Sequence, residues 1–133
     1  MTVLLQVPLQ ILSPYIGPIL DSVDGLCHLA HAHGGHIPSS LPEHSRDYNL
    51  VQICHGAPGL LLMLAAVKSL PPGYVQASQS SRKDSSDALR TRTGQDAADA
   101  IWAEGLLKKG LGICHGVSGN GWALLTMAAN ATR

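Results

Sequence analysis

Phenylalanine is absent from this chain of 133 residues, and aromatic residues together make up 4%. That is thin for a self-sufficient core, because large rings usually carry much of the buried area. An excess of either charge is also lacking: nine Lys and Arg balance nine Asp and Glu, with seven histidines neutral. No basic stripe stands out, which excludes DNA and RNA as partners on electrostatic grounds. Long hydrophobic runs are missing as well. The N-terminal MTVLLQVPLQILSPYIGPIL is apolar, but it has no charged start, and Pro8, Pro14 and Pro18 interrupt it. The longest uninterrupted run, Leu60 to Val67, falls far short of the roughly 20 residues a membrane span needs. The sequence reads as a soluble protein with no transmembrane segment.

Hydrophobic residues nevertheless make up 45% of the chain, enough for a core and too many for wholesale disorder. The length bounds it to one small domain or a piece of a larger one. Cysteine is sparse and odd in number, at Cys27, Cys54 and Cys114, which disfavours a closed disulfide framework. Each is followed by histidine. That pairing, without a secretory signal, points to metal or thiolate chemistry in a reducing compartment, the cytoplasm.

The periodicity is all-α. From about Pro14 to His33, Ile16, Ile19, Leu20, Val23, Leu26 and Leu29 recur at steps that mark one helical face. Glycine, proline and serine in HGGHIPSSLPEHSRDYN then predict a loop. Residues from about Ala57 to Ser69 are apolar on nearly every side, as in a helix buried all round. Tyr74 to Gln95 is polar and serine-rich and reads as a mobile surface insert. Helix is predicted again from about Asp96 to Lys108, with Ala97, Ala100, Ile101 and Leu107 inward. Asp96 would cap its start, and Lys108 and Lys109 suit its C-terminal dipole. A last helix runs from about Val117 to Ala129.

The strongest signal is an internal repeat. Ile53-Cys54-His55-Gly56-Ala57-Pro58-Gly59 returns sixty residues later as Ile113-Cys114-His115-Gly116-Val117-Ser118-Gly119, with five of seven positions identical. Each copy runs into a buried helix and follows a more amphipathic one, so a helical hairpin repeats, one helix inner and one outer. Glycine lets the chain turn sharply into the helix. The positive end of the helix dipole favours thiolate there. Two such cysteines from adjacent hairpins can converge, and thiolates with imidazole select zinc, leaving a fourth position open. Cys27 lacks the surrounding glycines and reads as a small buried hydrophobe. The neighbouring histidines 28, 31, 33 and 36 resemble a metal tract, but ordinary helix and loop histidines account for them better.

Taken together, Cys54-His-Gly-Ala-Pro-Gly59, the Leu-Leu-Lys-Lys-Gly-x-Gly run at 106–112, and Cys114-His-Gly-x-x-Gly-Asn120 resemble the eukaryotic LanC-like proteins. These are relatives of the bacterial lanthionine cyclases. Ile37-Pro38-Ser39-Ser40 and Leu50-Val51-Gln52 fit the run-in to the family's first motif, and the likeness covers most of the chain outside the polar insert. The resemblance implies an α/α toroid of seven helical hairpins around a central zinc, of which residues 1–133 make a partial domain with roughly two hairpins. It implies one zinc ion on Cys54, Cys114 and His115, with His55 beside the metal shell or in the cavity as a candidate catalytic group. Lys109 is the candidate glutathione-binding residue; an ordinary helix C-terminal cation is the equal alternative.

The activity so implied is activation of a thiol, glutathione or another, for addition to dehydroamino acids in a peptide or protein. The alternatives are a zinc- and glutathione-binding module without turnover, or an inactive fragment. Departures from the family pattern weigh towards these. The histidine motif upstream that supplies an acid/base is matched only superficially by Ala32-His33-Gly34, and Ile53 replaces the usual aromatic residue. No repeat follows the second motif's helix, so the chain reads as a truncated or degenerate copy, inactive alone. Its apolar helices are expected to want neighbours, leaving the chain marginally stable. Peripheral association with the plasma membrane is a further expectation from relatives, although no lipidation motif or basic amphipathic helix is visible.

Overall fold

The computed structural model describes residues 4–39, 50–72, 74 and 83–131. Proline shapes the entry. Pro8 precedes a short helix α1 (Leu9–Leu12), and Pro14 lies in the 3-10 turn Ser13–Tyr15 that leads into α2 (Ile16–Ala32). Proline's fixed φ suits a first turn, where its missing N–H would have had no helical partner. Ile16, Leu20, Val23, Cys27 and Ala30 are buried along one face of α2. The steps of four, three, four and three make Cys27 part of the apolar stripe. Leu29, expected on that face, is half-buried.

Helix α3 (Ala57–Lys68) is buried on nearly every side: Leu60, Leu61, Met63, Leu64, Ala65 and Val67 all lie in the core. It is the central element of the molecule. The next helix, α4 (Lys83–Glu104), corrects the sequence reading at both ends. Residues 83–95, read as part of a mobile insert, are helical; residues 75–82 of that stretch lie outside the described residues. The inner stripe of α4 is Leu89, Thr93, Ala97, Ala100 and Ile101. Its first half is hidden from a hydrophobicity scan because Thr93 holds a core position. The Thr93 hydroxyl donates to the Cys27 carbonyl at 3.3 Å, which lowers the cost of burying it. Asp96 therefore lies within the helix and is not its cap.

At the other end α4 stops at Glu104, four residues short of the expected Lys108. The backbone turns at Gly105, whose N–H donates to Ile101 O at 2.8 Å. The Gly105 carbonyl is taken by the Asn120 side chain at 2.9 Å, so it is not left to a continuing helix. Leu107 lies outside the helix, and Lys108 and Lys109 fall in the turn that follows it. Helix α5 (Val117–Ala131) completes the fold.

The four long helices form two layers. α3 packs on α5 in an inner layer, α2 packs on α4 in an outer one, and α3 also lies against α4. Across the outer layer, Arg90 Nε donates to Asp24 Oδ1 at 2.7 Å, with both side chains less than one fifth exposed. His31 Nδ1 meets Asp96 Oδ2 at 2.6 Å, and His36 Nε2 meets Glu104 Oε1 at 3.3 Å. The expected all-α hairpin arrangement is what the structure has. No helix among the described residues is long and apolar enough to cross a membrane.

Candidate metal centre

The two repeated motifs enter their helices in the same way. A Cβ on Gly56 would collide with the Leu50 carbonyl, and one on Gly116 with the Gly110 carbonyl. A Cβ on Gly59 would strike Ile53 O, and one on Gly119 would strike Ile113 O. In all four cases the glycine lies against the carbonyl six residues earlier. The repeat is therefore a repeat of backbone packing, which is why these positions carry no side chain. Gly56 also has φ at +121°, in the region other residues avoid.

Hydrogen bonds hold the first turn against the second. Ile53 N–H donates to Cys114 O at 3.0 Å. The Asn120 side-chain amide donates to Val51 O at 2.9 Å while also reaching Gly105. Lys109 Nζ donates to Gln52 Oε1 at 3.0 Å. Asn120 is almost fully buried, so this double donation fixes both loops from inside.

The result is a convergence at the starts of α3 and α5. The thiols of Cys54 and Cys114 and a ring nitrogen of His115 all lie within 4.8 Å of one another, and all three residues are exposed. A tetrahedral ion with bonds of about 2.0–2.3 Å needs its ligand atoms roughly 4 Å apart, so small side-chain rotations would seat one. Two thiols and an imidazole are a donor set that fits zinc. Without a cation the Cys114 thiol is pushed up, chiefly by its hydrogen bond with Cys54. A bound dication would reverse that balance and favour the thiolates.

The remaining candidates lie apart from this cluster. His55 is exposed and, with Cys54, lines a cavity of about 270 Å³ walled by Leu26, Ile37, Leu60 and Met63. Lys109 stands one hydrogen bond from the first loop, through Gln52. Cys27 is fully buried, and its thiol is pushed up to about 11, first by burial and then by the Asp24 charge. His31 and His36 are engaged with Asp96 and Glu104. Among the described residues, the grouping of cysteine, histidine and carboxylate side chains at metal-binding distance is Cys54, Cys114 and His115.

Sequence reasoning quoted Asn120 as part of a motif and gave it no task. A signal was available. Sixty residues earlier the corresponding position is Leu60, so a buried apolar residue in one copy becomes a buried amide in the other.

An inner and an outer layer of helical hairpins, with a thiol–thiol–imidazole group where two inner helices begin, define an α-helical repeat protein whose inner helix starts bring together side chains able to hold a metal ion. A family model described as lanthionine synthetase C-like protein matches residues 1–133, and the chain belongs to that family. It is similar to the glutathione S-transferase LANCL1 of Danio rerio, 35% identical over 109 residues. That match covers 82% of this chain and 23% of the relative, so the chain spans about a quarter of the curated relative's length.

Proposed function

We propose that this chain carries the zinc- and thiol-binding centre of a LanC-like protein that adds glutathione to dehydroalanine or dehydrobutyrine residues in peptides or proteins. The observation behind this reading is the convergence of Cys54, Cys114 and His115 from two motifs sixty residues apart. Zinc held there would supply a Lewis acid that lowers the pKa of a thiol in its fourth position. The name of the zebrafish relative supports glutathione as that thiol.

The chain's own groups have separable tasks. Lys109 is an ammonium with three donors, one of them engaged by Gln52 Oε1. Another could bind a glutathione carboxylate within reach of the first loop. Addition forms a bond from sulfur to the acceptor's β-carbon, consumes the C=C bond and requires a proton at the α-carbon. His55, exposed on the cavity wall beside Cys54, is the residue we assign to deliver it. We place the protein in the cytoplasm, where thiols stay reduced, with peripheral membrane contact left to its relatives' pattern.

A second reading, zinc and glutathione held without turnover, draws on the exposure of all three metal-centre residues. An addition site gains from excluding water, and here water reaches every ligand. The decisive measurement is zinc per folded chain in the parent and in Cys27→Ser, Cys54→Ser and Cys114→Ser. Zinc near one equivalent, kept in Cys27→Ser and lost in the other two, supports the centre. No zinc in a folded chain removes it. A dehydroalanine peptide with glutathione, followed by mass, then separates the two readings. Thioether formed faster than without protein means an enzyme; the background rate means a binding module.

A further inference from the structure

The same two thiols stand ready for a second chemistry. We propose that Cys54 and Cys114 form a redox modification site, closing to an intramolecular disulfide under a peroxide and so discarding the metal ligands. Three observations support it. Both residues are exposed, so an oxidant in water reaches them. Their sulfurs lie within 4.8 Å. The Ile53 N–H to Cys114 O hydrogen bond holds the two backbones side by side, so the thiols cannot drift apart while the loops stay clasped. A disulfide requires about 2.05 Å between sulfurs, a closure of under 3 Å shared by two side chains on glycine-flanked loops.

The chemistry balances with peroxide as the oxidant. One sulfur attacks a peroxide oxygen, the O–O bond breaks, and water leaves behind a sulfenic acid. The second sulfur attacks the first, its proton joins the departing hydroxyl, and a second water leaves as the S–S bond forms. Two thiols and hydrogen peroxide become one disulfide and two waters; the sulfurs lose two electrons and the peroxide gains them. A pair within reach follows this route because the resolving thiol arrives before further oxidation. His115 would then remain as a single ligand, too few to retain an ion.

Cys27 is the internal control. It has no exposed surface, so the fold shields it from the same oxidant. The metal-release arm rests on the zinc reading above; the disulfide does not.

The test uses the full reduced chain, with and without one equivalent of zinc, titrated with hydrogen peroxide. Intact mass should fall by two hydrogens. Peptide mapping should join the Cys54 and Cys114 peptides, with Cys27 recovered as a free thiol after unfolding, and dithiothreitol should reverse the change. Oxidation of the pair should outpace that of Cys27 by about tenfold or more. In the zinc-loaded chain, a chromophoric chelator should register one zinc for each disulfide. The variant Cys54→Ser should instead yield a sulfenic acid at Cys114, trapped by dimedone. Separate oxygen additions at Cys54 and Cys114, or links between chains, would overturn the proposal. A disulfide that forms in a chain unable to bind zinc would uphold it while removing the metal reading. Zinc binding with no disulfide would do the reverse.

Discussion

Asn120 has one amide group serving two carbonyls, Val51 O and Gly105 O, at 2.9 Å each. Replacing it by aspartate keeps the shape and turns the donor into an acceptor facing two other acceptors. Asn120→Asp should cost about 2 kcal/mol or more in a denaturant titration, and zinc affinity should fall with it. An unchanged midpoint would mean that the clasp carries little. Cys27 gives a second prediction at this scale. Its folded thiol ionises at about 11 against the ordinary 9.0, so the unfolded chain releases that proton first. Stability is unaffected below pH 9 and is lost between pH 9 and 11, by about 2–3 kcal/mol. Cys27→Ala should flatten that limb of the stability–pH curve relative to the parent. The grouping of Cys54, Cys114 and His115 was legible in two parts: the cysteines from a motif that repeats with five of seven positions identical, and His115 in place of His55 only from the resemblance to the LanC-like pattern. Asn120 was legible only as a polar residue where the other copy has Leu60, and Gln52 not at all, since a single polar residue announces no partner until the chain has folded.

Among the elements, α3 was read directly from its unbroken apolar run, and the start of α4 was missed. The difference is compositional. A helix buried all round declares itself by hydrophobicity, whereas the first half of α4 has just Leu89 as a large apolar residue in its stripe, with Thr93 below it. Amide hydrogen exchange should distinguish helix from insert: residues 86–95 should be protected to an extent comparable with 96–104. Exchange at the rate of an open chain across 86–95 would restore the insert. Leu61 is fully buried in α3, the helix that packs on both α4 and α5. Leu61→Ala should cost about 2–5 kcal/mol in unfolding free energy, enough to threaten a domain of this size.

For the whole molecule, the expectation of apolar helices wanting neighbours fits α5 and not α3, which the chain itself covers on nearly every side. Trp122 and Leu125 on α5 are 58% and 70% exposed, and Trp102 on α4 is 83% exposed. Trp122 and Leu125 occupy the places of Leu62 and Ala65 in the preceding repeat, residues that line the groove between α3 and α5. With both tryptophans wetted, the folded chain should fluoresce at wavelengths close to the unfolded chain's and be readily quenched by acrylamide. It should also bind a hydrophobic dye. A blue-shifted spectrum that quenches poorly at low concentration would show these rings to be covered.

The backbone clasp between the two motif turns has a thermodynamic consequence. Cys54 and Cys114 are separated by sixty residues and come together through the packing of α3 on α5. An ion gripped by both would bind the folded chain and ignore the unfolded one. Mass action then ties the folded population to the metal buffer of the surroundings. Above the dissociation constant, each tenfold rise in free ion adds about 1.4 kcal/mol to stability. For a chain close to its folding threshold, abundance would become a readout of available zinc.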